Sequence, residues 1–139
     1  MRLAVFDTNV IIAAGISRNG APSQLVNNWV LGGRLQLVIS PFVIREYREV
    51  VQRPKFLRYA FPPDWLELLI EASLSVGDPD AWPLSMPHPE DATFLALADA
   101  AGAWLVTGNL RHFPASVRRG VTVLSPADYL VHLTSGDKL

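Results

Sequence analysis

Residues Leu3 to Phe6 are a short apolar run that suits a buried strand, and the run ends abruptly in a carboxylate and two small polar groups, Asp7, Thr8 and Asn9. In open α/β sheets ligands bind in the crevice beyond the carboxyl ends of the strands, so a strand surfacing into Asp-Thr-Asn marks an expected site. The same residues also suit a turn that caps the next helix. The remaining sequence decides between the two readings.

That run is the first of several strand-like runs separated by helical stretches. Val10 to Ile16 is apolar and small, and Ser17-Arg18-Asn19-Gly20 breaks it. A helix is expected from Pro22 or Ser23, with Leu25, Val26, Trp29 and Val30 inward and Gly32-Gly33 as its stop. Leu35 to Ile39 reads as a strand, and Ser40-Pro41 opens a helix to about Gln52. Lys55 to Pro63 reads as a loop, and Pro62 or Pro63 starts a helix through Ala72. Prolines 79, 83, 87 and 89 make Val76 to Pro89 mostly irregular, with a short strand near Ser75 to Gly77 or Leu84 to Met86. Then come an alanine-rich helix from Glu90 to Ala101, a strand at Ala103 to Val106 and an Arg- and His-bearing loop from Leu110 to Gly120. A strand at Val121 to Leu124 and a helix from Pro126 to about Leu133 complete the order. Strands separated by helices imply a parallel sheet covered on both faces, an α/β fold.

Length and composition narrow the class. At 139 residues, half of them hydrophobic and 18% charged, the chain is expected to be a single domain over 1–139 with a substantial core. Twelve basic against thirteen acidic residues leave a net charge of −1, so bulk charge does not announce a nucleic-acid binder. Ten of the twelve cations are Arg, however, the side chain suited to bidentate phosphate contacts. The absence of cysteine excludes disulfides, thiolate zinc sites and a cysteine nucleophile. No run approaches the ~20 apolar residues of a membrane span, and Met1 to Phe6 lacks the apolar region of a signal peptide, so a cytoplasmic protein without membrane partners is expected.

Three carboxylates and one amide recur at comparable places. Asp7 ends the first strand, Glu46 lies in the helix after the second, Asp91 opens the helix before the fourth, and Asn109 follows that strand. On a helical wheel zeroed at Val43, the apolar face spans Phe42, Val50, Tyr47, Val51 and Ile44, and Glu46 falls at about −60°, inside that arc. A carboxylate so placed must be paired, metal-bound or protonated, and a salt bridge to an Arg such as Arg2 is the structural alternative. Asp91 shares a side with Leu95 and Ala98, although any acid in a first turn is also favoured by the helix dipole. Asp99, about 12 Å further along the axis, is too distant to share an ion with it. Clustered carboxylates suit hard divalent cations, Mg²⁺ or Mn²⁺, whereas His88, His112 and His132 show no zinc spacing. Such ions bind substrate phosphate and lower the pKa of an attacking water, which makes phosphodiester hydrolysis the natural chemistry.

Taken together, VFDTNV, SPFVIREYREVV, PEDATFLALADAAGA, LVTGNLRHFP and VLSPADYL, in this order and spacing, resemble a PIN domain of the toxin-like branch that includes VapC ribonucleases. The resemblance implies a three-layer α/β/α sandwich, a doubly wound parallel sheet of about five strands ordered 3-2-1-4-5. It further implies a Mg²⁺- or Mn²⁺-dependent endoribonuclease acting on RNA, commonly a homodimer and held inactive by an antitoxin protein. Carried onto this sequence, Asp7, Glu46 and Asp91 match the acidic, metal-binding site, with Asn9 and Thr107 supporting ligands, water or substrate. The fourth acidic position is Asn109 here, which lowers the formal charge of the site from −4 to −3 and puts tight binding of a second ion in doubt. Arg111, His112, Arg118 and Arg119 flank the site and suit RNA phosphates, or form an ordinary solvated loop. The competing expectation is a catalytically weak or inactive module that binds RNA or protein. A phosphatase would need an acid where Asn9 stands, a phospho-receiver a lysine after the last strands, and a dinucleotide-binding domain a G-x-G-x-x-G that is missing.

Overall fold

The computed structural model describes residues 2–59, 61, 62 and 64–135. Its centre is a parallel sheet of five strands in the order β3-β2-β1-β4-β5: β1 Leu3–Phe6, β2 Gln36–Ile39, β3 Leu74–Ser75, β4 Trp104–Val106 and β5 Val123–Leu124. β1 lies in the middle, with Leu3 opposite Gln36 on one side and Phe6 opposite Val106 on the other. Ala4, Val5 and Phe6 are completely buried, which is why a run so short reads as continuously apolar. The doubly wound α/β architecture and the 3-2-1-4-5 order are as expected.

From β1 the chain steps one way to β2 and β3, then reverses to β4 and β5. With right-handed crossovers that reversal puts the helices of the first half on one face of the sheet and α6 on the other. α1 is Thr8–Ile16, and α2 starts at Ala21–Ser23 and continues as a π-helical run, Gln24–Val30. α3 (Pro41–Val51) buries Val43, Tyr47 and Val50, residues that recur at helical spacing, and α5 is Trp65–Ala72. α6 (Ala92–Ala101) lies across β1, β2 and β4 with Phe94 to Ala98 buried, and Gly102 closes it at φ 65°. α7 is Pro126–Ser135 and packs beside α2.

The start of α3 is held twice. Ser40 caps it by accepting the Val43 N–H at 3.5 Å, and Asp78, from the proline-bearing segment, accepts the Phe42 N–H at 2.9 Å.

Several boundaries differ from expectation. The stretch read as a loop from Lys55 contains a one-turn helix, α4 (Pro54–Leu57), because Pro54 sits at its first position, where its missing N–H is harmless. Pro63, one of two expected starts for α5, lies outside the described residues. The helix expected from Glu90 begins as a 3₁₀ turn, Pro89–Asp91. The last strand shrinks to Val123–Leu124, because the Val121 N–H goes to the Arg118 carbonyl instead of the sheet. Among the described residues no helix is long and apolar enough to cross a membrane.

Candidate active site

The carboxyl ends of β1 and β4 lie side by side, with the Asp7 N–H bonded to the Val106 carbonyl at 2.9 Å. This register sets the next residue of each strand, Asp7 and Thr107, next to the other. Thr107, completely buried, donates its hydroxyl to Asp7 Oδ2 at 2.8 Å, and Asn9 donates its amide to the same oxygen at 3.1 Å. Asn9 also accepts the Gly108 N–H at 2.9 Å, and the Asn109 N–H donates to Thr107 Oγ1 at 3.0 Å. A Cβ at position 108 would stand 3.3 Å from the Asn9 side-chain oxygen, so glycine lets the two loops approach. Asp7 stands at the N-cap position of α1 but makes no side-chain capping hydrogen bond; its carboxylate is fixed instead by Thr107 from the neighbouring strand and by Asn9.

Asp91 enters from the 3₁₀ turn before α6 and is 9% exposed. Its Oδ2 lies 2.9 Å from His112 Nδ1, and the His112 ring stacks on His88 with centroids 3.8 Å apart. Burial pushes the Asp7 carboxyl up to about 6; the Thr107 hydrogen bond opposes this, and the charge of Asp91 adds to it. Burial raises Asp91 too, against the His112 contact. These two buried carboxylates face the same space.

That space is a cavity of about 520 Å³. Asp7, Thr8 and Asn9 form one side, Asp91, Phe94 and His112 another, and Glu46 and Val50 of α3 a third, with Asn109 at the edge. Glu46 is half-buried and has no ion pair among the described residues, to Arg2 or otherwise. Among the described residues no three His, Asp or Glu side chains already stand close enough together to hold a metal ion. Asp7 and Asp91 are neighbours, whereas Glu46 shares the cavity without joining them. The carboxylate oxygens of Asp7, Asp91 and Glu46 nevertheless suit a hard divalent cation, the one lining imidazole, His112, has its Nδ1 against Asp91, and the Thr8 hydroxyl beside Asp7 is buried without a hydrogen-bond partner.

The other expected residues divide. Asn109 and Arg111 are exposed at the rim and Asp99 is exposed elsewhere, whereas Arg118 is tied to the Phe113 carbonyl at 2.7 Å and Arg119 lies over the Trp82 ring at 5.8 Å. Arg53 and Lys55 line the cavity and were not singled out in the sequence. Helical spacing from Glu46 and Val50 does not reach Arg53, which lies past the end of α3 in extended backbone, so the sequence carries no clear signal for it. The Tyr47 hydroxyl, which donates to the Phe6 carbonyl next to Asp7, was also unforeseen.

A model of the PIN domain family matches residues 3–111. The chain belongs to the PIN domain family. PIN domains are generally nucleases and generally use divalent metal ions. This PIN domain is similar in fold to PAE2754 from Pyrobaculum aerophilum, with a TM-score of 0.63 and 16% identity over 97% of this chain and 90% of the other. It is also similar to VapBC2 from Rickettsia felis bound to a DNA fragment from their promoter, with a TM-score of 0.59 and 16% identity over 88% of this chain and 98% of the other. No curated protein matches the sequence of this PIN domain.

Proposed function

We propose that this PIN domain is a Mg²⁺- or Mn²⁺-dependent endoribonuclease that hydrolyses RNA phosphodiesters in the cavity between β1, α3 and α6, and that it is the toxin of a toxin–antitoxin pair. The observation that carries the enzymatic reading is the pair of buried carboxylates, Asp7 and Asp91, facing one cavity in which they, Glu46 and Glu90 outnumber the cations Arg53 and Lys55. Likeness in fold to VapBC2 supports an antitoxin partner, and a homodimer in the cytoplasm completes the reading.

Asp7, Asp91 and Glu46 would hold the ion, with the side-chain amide oxygen of Asn109 as a further oxygen. When bound, the ion supplies Lewis-acid charge for the phosphate and makes water a competent nucleophile at neutral pH. The protein's own residues do the positioning. Thr107 and Asn9 fix the Asp7 carboxylate, His112 fixes that of Asp91, and Phe94 and Val50 give the cavity apolar walls that limit bulk water. Arg53 and Lys55 attract the phosphates of the strand on either side of the scissile bond.

One observation favours the weaker alternative, a PIN-fold module that binds RNA or protein without cutting: Glu46 does not join the two aspartates in a three-ligand cluster. Calorimetric titration with Mn²⁺ separates the two. The nuclease reading expects binding that Asp7→Asn abolishes; heat-silent titrations with and without RNA would support the binding module.

A further inference from the structure

A second cavity of about 490 Å³ adjoins the acidic one, lined by His88, Gly108, Asn109, Arg111, His112 and Ser125. Asn109 and His112 line both, so the two spaces meet at these residues, and His112 reaches Asp91 of the first. The size falls in the range of small-ligand sites, about 300–1,000 Å³.

The wall is assembled from two distant parts of the chain. His112 comes from the turn after β4, and His88 ends the proline-bearing segment that follows β3. That segment is pinned along its length: Asp78 holds the start of α3, the Trp82 indole donates to the Val117 carbonyl at 2.9 Å, and Met86 is buried. His88 is thus delivered to a fixed place, stacked on His112 at an interplanar angle of 25°. With one ring face against His112, its side chain remains 47% exposed. Its only ionic neighbour among the described residues is Glu90, at 3.8 Å. Arg111 has no ion pair among the described residues.

An open aromatic face beside an uncommitted guanidinium is how single-stranded RNA is held, with the base on the ring and the phosphate on the cation. Resting on the ribonuclease reading, we infer that this second cavity is the subsite for the nucleotide next to the scissile phosphate. His88 is its stacking platform and Arg111 its phosphate contact. The long irregular segment 76–88 then has a role, which is to carry His88 to the substrate.

The test is fluorescence anisotropy of a labelled short oligouridylate, and of the same backbone with abasic sugars, binding to the full chain carrying Asp7→Asn to block cleavage. His88→Ala is expected to raise Kd for the oligouridylate roughly tenfold and to leave the abasic strand unaffected, whereas His88→Phe restores the loss. Arg111→Ala is expected to weaken both strands and to lower the salt slope by about 0.7, one phosphate contact on a single strand. Kd values within about twofold of the parent for both Ala variants, or equal losses for the base-bearing and abasic strands in His88→Ala, would overturn the subsite. Cleavage by the unsubstituted protein in Mn²⁺ is followed in parallel: if it persists while the variants bind like the parent, the subsite alone fails, and if neither cleavage nor binding is seen, both readings fail.

Discussion

Asp7 is buried where its charge is unfavourable, and this has a measurable sign. The unfolded chain ionises this group near 3.8, the folded chain only at about 6, so between these values the folded state binds the extra proton. Stability from Asp7 therefore falls as pH rises through that window and stays low above it. In metal-free buffer, Asp7→Asn is expected to be more stable than the parent at neutral pH by about 2–3 kcal/mol, a gap that closes by about pH 4. Urea unfolding of both proteins across pH checks this. Thr107→Val removes the hydroxyl that favours the ionised form, so the Asp7 carboxyl is expected to titrate above about 6, read by carboxyl carbon NMR. Residues of this kind were legible in sequence. Asp7 and Thr107 each directly follow an apolar strand, and Glu46 interrupts an apolar helical face. His88 was not legible, because an exposed ring in an irregular segment has no periodicity to betray its partner.

At the scale of elements, α3 connects the site to the sheet. The Tyr47 hydroxyl, fully buried and held protonated by burial and by the charge of Asp7, donates to the carbonyl of Phe6. Tyr47→Phe is expected to cost about 1 kcal/mol in urea unfolding, and Ser40→Ala a similar amount through the lost cap. A null result for Tyr47→Phe would mean that the Phe6 carbonyl finds another donor. Helices with long apolar faces could be read from sequence, as could β1, β2 and β4, whose runs are buried on both faces. β3 could be placed only loosely, since two exposed residues, Leu74 and Ser75, carry no pattern. The turn of α4 was missed because Pro54 reads equally as the end of α3 and as the first residue of a new helix.

For the whole molecule, the reversal of strand order at β1 and β4 brings Asp7, Asp91 and Asn109 to one crevice although they are far apart in sequence. A ligand that bridges those elements must stabilise the fold by mass action. Mn²⁺ at about a hundred times its Kd is expected to add about 2.7 kcal/mol and raise Tm, and Asp7→Asn is expected to lose that shift. The most direct test is the rate of RNA cleavage in Mn²⁺ by Asp7→Asn, with its fold verified by circular dichroism, against the unsubstituted protein. The account predicts loss of cleavage by at least about a hundredfold, as for removal of a central electrostatic group. Cleavage at the unsubstituted rate would contradict it.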